Sequence, residues 1–238
     1  MVIDCSSLDH KKINEIIAES CEEIELDNVG GQRYIASGSK GKEIKIYGLP
    51  GNSLASFLDG SSIEVFSNCQ DQIGDTMNDG KIIIHGSVGD GTGYSMRGGK
   101  IYIKEDAGYR TGVHMKAYMD KNPLIIIGGS AGSFLGEYLA GGTIVVLGLD
   151  STAQPPVGFF TAKGMYSGRI IIRSKTEPTV DEQINVTEAS RENKKEIGEL
   201  IKEFCSVFSF DIDKIVEGNF YILSPSTSSP YKRLYTPF

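Results

Sequence analysis

The sequence contains three histidines and four cysteines, which are side chains that could bind a metal ion or act as nucleophiles. None has a second histidine or cysteine at the short spacing of a metal site, and no Cys-x-x-Cys motif is present. The pattern predicts no metal site and argues against disulfides, which fits a reducing compartment. In chain order these residues are Cys5, His10, Cys21, Cys69, His85, His114 and Cys205.

Two pairs of acids and one glycine-rich segment could also do chemistry. Asp71 with Asp75, and Glu105 with Asp106, could supply the paired carboxylates of a carbohydrate-cleaving enzyme. Residues 89–93 (GDGTG) follow a predicted strand, as a phosphate-binding loop would. However, the acids occupy different positions of a sequence repeat, and no helix pattern follows the glycines. We therefore expect no catalytic, cofactor-binding or metal-binding residues in this chain.

That repeat, between residues 43 and 173, would have to position any such site. Each copy starts with isoleucine, any residue, and then isoleucine or valine, which is the alternation of a β-strand. The copies start at positions 44, 63, 82, 101, 125, 144 and 170, which gives steps of 19, 19, 19, 24, 19 and 26. A period of about 20 residues is typical of stacked units that bury each other's apolar faces. The pairs are Ile44/Ile46, Ile63/Val65, Ile82/Ile84, Ile101/Ile103, Ile125/Ile127, Ile144/Val146 and Ile170/Ile172.

Two further positions recur within the copies. Eleven residues after the first isoleucine of most copies comes a glycine or alanine, and three residues later a methionine or leucine. Stacking of similar coils would place these residues in two adjacent columns, with the flexible apolar side chains buried. The predicted structural ladder of the central copies is Gly74, Met77, Gly93, Met96, Gly112, Met115, Gly136 and Leu139.

These spacings predict an all-β core formed by a single-stranded, right-handed parallel β-helix of about seven coils, with flanking N- and C-terminal helices. A left-handed hexapeptide β-helix is disfavoured because the period of 19 is not a multiple of six. A leucine-rich repeat would need its leucine and asparagine ladder, and a propeller blade would need about 40 residues.

The chain divides into three predicted parts. Residues 1–22 form a capping helix that starts after Ser7 or Asp9 and ends near Ser20. Residues 23–174 form the β-helix domain, in which a first imperfect coil would start at Ile24 and have residues 33–36 as its second edge.

The third part, residues 175–238, is predicted to form a linker, a helix and an extended tail. Thr187 is the expected N-cap of a helix that ends near Phe208. Its apolar stripe should pack on the wall or the C-terminal end of the β-helix.

Composition limits the functional classes. The net charge is −7 and no basic block occurs, which argues against nucleic acid as a partner. The sequence contains neither an apolar run long enough for a membrane span nor the pattern of an export signal. A cytoplasmic protein is the expectation.

The tail is proline-rich but also carries large apolar side chains, which a purely disordered segment would lack. It could dock on the chain's own β-helix, dock on a partner, or form a loose end. The residues that would make the contact are Tyr231, Leu234, Tyr235 and Phe238.

The phased glycines resemble those of the GXGXG domain at the C-terminus of the large subunit of glutamate synthase. The most diagnostic stretch is residues 128–148 (GGSAGSFLGEYLAGGTIVVLG), and residues 93–99 (GYSMRGG) and 112–115 (GVHM) follow it more loosely. One of the subunits of formylmethanofuran dehydrogenase is similar. The resemblance covers residues 24–173, and the flanking helices and tail resemble the stand-alone, archaeal-type version of the domain.

The resemblance implies a non-catalytic scaffold subunit of a split glutamate synthase. Glutamine hydrolysis would belong to a partner amidotransferase. Glutamate formation would belong to an FMN-binding synthase subunit that carries FMN and an iron–sulfur cluster. No active-site residue of the family carries over to this chain, and a homo-oligomer is also compatible. The alternatives are a β-helix enzyme acting on a carbohydrate or small acid, and a scaffold subunit of another redox complex.

Overall fold

The computed structural model describes residues 1–21, 23–150 and 154–226. Its strands belong to a single sheet in which β2 to β9 are parallel neighbours in chain order. The predicted parallel β-helix is confirmed, and with β2 counted it has about eight coils. The strands are β1 (Val2–Asp4), β2 (Ile24–Gly30), β3 (Glu43–Leu49), β4 (Asp59–Val65), β5 (Asp79–Ile84), β6 (Lys100–Ile103), β7 (Leu124–Ile127), β8 (Ala140–Val146), β9 (Ser167–Arg173), β10 (Ile184–Glu188) and β11 (Phe220–Pro225).

The repeated isoleucines stack in register inside the solenoid. Ile44 pairs with Ile63, which pairs with Ile82, and the same register continues through the later coils. All of these side chains are buried, so each coil completes the core of its neighbours. On a second side of each coil, single residues form a parallel bridge ladder: Cys69, Val88, Ala107, Ala131 and Val157.

The N-terminal end is closed by a helix and a short strand. Helix α1 (His10–Glu19) begins after Asp9, whose side chain accepts a hydrogen bond from the Lys12 N–H, and ends at the C-cap Ser20, as predicted. The Lys42 ammonium donates to the Ser20 carbonyl at the helix C-terminus, where a cation is favourable. Strand β1, which the sequence pattern did not predict, pairs in parallel with β2. The predicted second edge at residues 33–36 belongs to the first coil: the Tyr34 N–H donates to the Asn52 carbonyl at 3.0 Å, and the Ile35 carbonyl accepts from the Ala55 N–H at 2.8 Å.

The C-terminal end is closed by two antiparallel strands that two helices separate in the chain. Strand β11 pairs with β9, and β10 pairs with the other edge of β11. The predicted helix start at Thr187 is wrong, because residues 184–188 form β10. Helix α2 (Arg191–Phe208) begins after Ser190, which forms a reciprocal capping box with Asn193.

Helix α2 and the short helix α3 (Ile212–Val216) cover the outer face of the sheet. The outward position of the early strands is polar, and from β5 onward it is apolar. Phe204 of α2 packs edge-on against Tyr102 with ring centroids 5.8 Å apart, and both rings are buried. Across the sheet this outward position is held by Glu25, Lys45, Glu64, Ile83, Tyr102, Ile126, Val145 and Ile171.

Ionic contacts hold α2 on the sheet. The Glu203 carboxylate accepts hydrogen bonds from Lys81, from Lys100 at 2.6 Å and from the Tyr102 hydroxyl at 2.9 Å. Seven residues earlier on the same helix face, Glu196 pairs with Arg169 at 2.7 Å. Burial alone would raise the pKa of Glu203, but hydrogen bonds from Lys100, Lys81 and Tyr102 lower it to about 2.

Candidate interaction surface

The corner of the solenoid opposite the Ile-rich strands has an unusual backbone. In each coil three alternating residues have positive φ; in one coil they are Arg110, Gly112 and His114, with φ of 59°, 70° and 57°. Their N–H groups donate alternately to the next and the previous coil. The acceptors are the carbonyl oxygens of Ser133 at 2.9 Å, Thr92 at 2.8 Å and Glu137 at 3.0 Å. This ladder supports a conformation that costs roughly 1–3 kcal/mol at each non-glycine residue.

The middle corner position holds the predicted glycine column. A Cβ atom at Gly112 would lie 2.5 Å from Cδ1 of Ile144, so a side chain there would require that isoleucine to shift. Alanine occupies the same position in other coils, as at Ala55 and Ala162. The corresponding glycines with positive φ are Gly74, Gly93, Gly112 and Gly136.

Inside the corner lies the predicted column of flexible apolar residues. Its members have no exposed surface, and each N–H bonds to the carbonyl of the ladder glycine three residues earlier. The tight turn thus directs these side chains into the solenoid while its flanking residues face outward. The column comprises Met77, Met96, Met115 and Leu139.

The outer side of the same corner carries a cluster of aromatic side chains, which we call the aromatic ridge. It is concentrated in the later coils, where Tyr109 is 56% exposed and Phe159 is 81% exposed. In one row Arg110 lies over the Phe134 ring at 5.3 Å, and Phe134 stacks on Phe160 at 5.0 Å. The ridge comprises Tyr94, Tyr109, His114, Phe134, Tyr138, Phe159 and Phe160.

A second row of the ridge runs beside the first. His114 meets Tyr94 edge-on at 5.8 Å and stacks on Tyr138 at 5.2 Å. The backbone does not require rings at the positive-φ positions, because the equivalent residues of other coils include Gly91 and Gly164. Exposed rings on strained backbone indicate an interaction surface, since neither burial nor local conformation accounts for them.

An open groove of about 660 Å³ runs from the ridge to a row of acids in the earlier coils. Asp71 accepts a hydrogen bond from the N–H of Asp90 at 2.9 Å, and Asp90 accepts one from the N–H of Tyr109 at 2.8 Å. These carboxylates therefore tie successive coils together. The groove offers aromatic faces and Arg110 to a bound partner, and these residue types are enriched in protein interfaces.

The acid pairs do not form a catalytic dyad. Asp75 accepts a hydrogen bond from the Thr76 hydroxyl at 2.7 Å. Asp71, with which it was paired in the sequence, accepts one from the N–H of Asp90 in the next coil. Glu105 accepts from the Ser87 hydroxyl at 3.0 Å. Asp106 accepts from a backbone N–H at 2.6 Å. Each acid thus has a local structural role.

The glycine-rich segment 89–93 belongs to the corner. Gly91 and Gly93 both have positive φ, and strand β6 follows without an intervening helix. A side chain at Gly89 would collide with the Asp71 carboxylate. The segment therefore turns the chain rather than presenting N–H groups at a helix N-terminus.

The structure does not bring the three histidines together. His10 lies in α1, His114 lies on the ridge, and Nε2 of His85 is 2.7 Å from a Glu64 carboxylate oxygen on the sheet side. The His85 ring stacks on Phe66. Across the described ranges, no group of three potential metal ligands is present.

The cysteines are also separate. Burial raises the pKa of Cys69 to about 12, and burial together with Asp4 and Asp27 raises that of Cys5 to about 11. Cys205 is buried in α2 and Cys21 is exposed at the other end of the fold. The four cysteines lie apart, so they do not form the set of thiolates that holds an iron–sulfur cluster.

Sequence reasoning missed the ridge and proposed partner-binding residues in the C-terminal tail. Tyr231, Leu234, Tyr235 and Phe238 are outside the described residues. The usable signal was the ladder glycine: Phe134 and Tyr138 lie two residues before and after Gly136. Aromatic residues at these two offsets point outward whenever the middle residue points inward.

Within the described ranges, no helix combines the length and the apolar character needed to cross a membrane. A family model described as the GXGXG motif matches residues 25–225. An uncharacterised protein of Methanocaldococcus jannaschii is 40% identical over 252 aligned residues, which cover 100% of this chain and 97% of that protein. The matched region contains β3 to β10 and both C-terminal helices, and it ends at the last residue of β11. The chain belongs to the GXGXG motif family.

Proposed function

We propose that this chain is a non-catalytic scaffold subunit of a split glutamate synthase complex. A partner glutamine amidotransferase releases ammonia from glutamine, and an FMN-binding synthase subunit uses the ammonia to form glutamate. FMN and an iron–sulfur cluster belong to the partner subunits, and this chain holds those subunits in a fixed arrangement.

The observation that carries the proposal is the GXGXG match over residues 25–225. The motif resembles the C-terminal domain of the glutamate synthase large subunit, where it accompanies domains that carry out the chemistry. The match extends from β2 through the C-terminal cap, so most of the folded chain, rather than a few glycines, supports the proposal.

The side-chain chemistry of the described residues agrees with a scaffold role. Acids that could have formed a catalytic pair instead bind backbone or hydroxyl groups, as Asp71 and Glu105 do. The buried thiols of Cys5 and Cys69 have raised pKa values and lie on different parts of the fold. Neither set of residues fits an FMN-dependent or cluster-dependent reaction centre.

The mechanics of the fold also suit a scaffold. Backbone hydrogen bonds join each coil to the next both along the sheet and along the corner. Such a rod keeps bound partners at a fixed distance from one another. The aromatic ridge provides exposed rings of the kind that form interface hot spots.

Co-production with the amidotransferase and FMN-synthase subunits of the same organism tests the proposal. We expect a stable complex that forms glutamate from glutamine, whereas the chain purified alone hydrolyses no glutamine and has no flavin spectrum. Failure of the chain to associate with these subunits would contradict the proposal, as would a flavin spectrum or glutaminase activity of the chain alone.

The aromatic ridge can be tested in the same assay. The double substitution of His114→Ala with Tyr138→Ala should weaken assembly about tenfold or more, because hot-spot rings dominate interface energy. Phe57→Ala is the matched control, since Phe57 is an exposed ring with positive φ on an early coil. If the wild type, the double variant and Phe57→Ala all assemble equally well, the ridge is not part of the interface.

A further inference from the structure

An apolar groove of about 620 Å³ lies at the C-terminal end of the solenoid, outside the docking groove described above. Phe159, Phe160 and Val180 are among the residues that line it. Phe159 is 81% exposed and Phe160 is 59% exposed, so the groove presents a large apolar area to water. Surfaces of this kind are normally covered by another segment or another molecule.

The described chain ends beside this groove. Strand β11 ends at Pro225, and the N–H of Ser226 donates to the carbonyl of Gln183 at 2.9 Å. The Gln183 N–H in turn donates to the Asp181 carboxylate at 3.3 Å, and Asp181 lines the groove. Residues 227–238 follow Ser226. The hydrogen-bond partner of Ser226, Gln183, is only two residues after the groove residue Asp181.

The length of that remaining segment is sufficient. It runs from position 227 to the last position, 238. An extended chain of about a dozen residues spans about 40 Å, at about 3.3–3.6 Å per residue. Tyr231 is only five residues beyond Ser226 and can reach about 17 Å from it. Because Asp181 lines the same groove as Phe159 and Phe160, a segment of this length is long enough to extend along the groove.

The chemistry of the segment and of the groove is complementary. The segment carries the apolar residues Tyr231, Leu234, Tyr235 and Phe238, and between them Lys232 and Arg233. On the groove side, Asp181 is already paired with Lys163 at 2.7 Å, so the uncompensated negative charge beside the groove comes from the exposed Glu177 and Glu182 of the adjoining segment. Proline-containing extended segments bind aromatic-lined grooves in this way with little loss of chain entropy.

We propose that residues 227–238 of this chain bind in the groove formed by Phe159, Phe160 and Val180. The tail aromatic residues cover the exposed phenylalanine rings, and Lys232 and Arg233 face the acids of the 177–182 segment. The tail thereby covers the C-terminal end of the aromatic ridge and leaves His114 and Tyr138 open to a partner. This inference does not depend on the proposed function.

Photo-crosslinking in the full-length chain tests the proposal. A photoreactive phenylalanine analogue, benzoylphenylalanine, replaces Thr236, which keeps Tyr235 and Phe238 in place. Illumination should link residue 236 to peptides containing residues 154–163 or 177–183, as mapped by mass spectrometry. The product should run as a monomer, and its yield should not change with protein concentration, because the contact is within one chain.

Matched variants make the test specific. Combining Phe159→Ala with Phe160→Ala should lower the yield of this crosslink about tenfold, whereas Phe57→Ala, on a distant coil, should leave it unchanged. Melting curves check that the variants are folded, and Phe159→Ala alone serves if the double variant is not. A crosslinked dimer, a link to another surface, or equal yields from all variants would overturn the proposal. So would the absence of any crosslink in the isolated chain, which would assign the tail to a partner or leave it unbound.

Discussion

Two outer surfaces of the solenoid carry aromatic rings, and they differ in what lies over them. On the sheet face Tyr102 is fully buried beneath α2, whereas on the corner Tyr109, only seven residues later, is 56% exposed. The sheet face has an amphipathic helix of its own chain as a cover, held by Glu203 and Glu196. Over the central part of the corner, the described residues provide no comparable helix.

The difference separates rings that stabilise the fold from rings that remain available for binding. Burial of Tyr102 and Phe204 removes apolar surface from water and contributes directly to folding. Phe160 has positive φ, which folding alone does not require, and its ring is still 59% exposed. Mutations on the two surfaces should therefore have different consequences.

The largest effect should come from the interior that both surfaces share. Met96 is fully buried inside the corner. The change Met96→Asp would place a carboxylate there at a cost of several kcal/mol, comparable with a typical total stability of about 5–15 kcal/mol. We expect the variant to unfold or aggregate, as measured by circular dichroism and gel filtration.

Arg97→Asp is the matched control, because Arg97 is the next residue and its side chain is exposed. It should melt within a few degrees of the wild-type protein. If Met96→Asp melts at the same temperature as the control, the corner interior is not as tightly packed as the structure indicates.

The next effect compares the two surfaces directly. Phe204→Ala removes a buried ring that contacts Tyr102 and Phe208, and should lower the free energy of unfolding by about 3–5 kcal/mol. Tyr109→Ala removes an exposed ring of the ridge and should change it by less than about 0.5 kcal/mol. Denaturant titration measures both, and similar losses in the two variants would show that the corner is also a stabilising surface.

The smallest effect concerns the attachment of α2 and appears only in acid. The pKa of Glu203 is about 2 in the folded chain, below the roughly 4.3 of an unfolded glutamate. Its contribution is therefore present above about pH 4.3 and is lost as the pH falls toward 2. Because the Glu203 side chain is 37% exposed, solvent screening keeps this contribution modest.

Glu203→Gln removes that carboxylate and should flatten this part of the stability–pH profile. Glu199→Gln is the control, since Glu199 lies on the same helix in a more exposed pair with Lys202. Melting temperatures between pH 2 and 7 measure the slopes. Parallel profiles for wild type and Glu203→Gln would mean that the carboxylate does not hold the helix on the sheet.

Local patterns predicted the elements whose contacts repeat along the chain. The isoleucine pairs and the period near 19 predicted the stacked strands, and Asp9 and Ser20 marked both ends of α1. Thr187 was wrong as a cap because residues 184–188 pair with β11, which follows only after α2 and α3. A single sequence gives little sign of such a distant pairing when the segment is short.

For the candidate surface, sequence reasoning found the inner half and missed the outer half. Gly112 and Met115 recur at fixed spacing, so their column could be derived from the repeat alone. Phe134 and Phe160 do not recur in every coil and resemble ordinary apolar residues in the sequence. Only the turn geometry shows that they face outward and stack on one another.

The sequence by itself determined the coil, its period and the residues that point into it, because each coil meets a near-copy of itself and the same spacing must satisfy every contact. Which outer surface is covered was decided by the tertiary structure alone. Helix α2 could have packed on the wall or on the end of the solenoid. Its apolar stripe lies on the wall because β10 and β11 close the end, and because Lys81, Lys100 and Arg169 offer counter-charges there to Glu203 and Glu196. That choice buries Tyr102 and leaves Tyr109 in water.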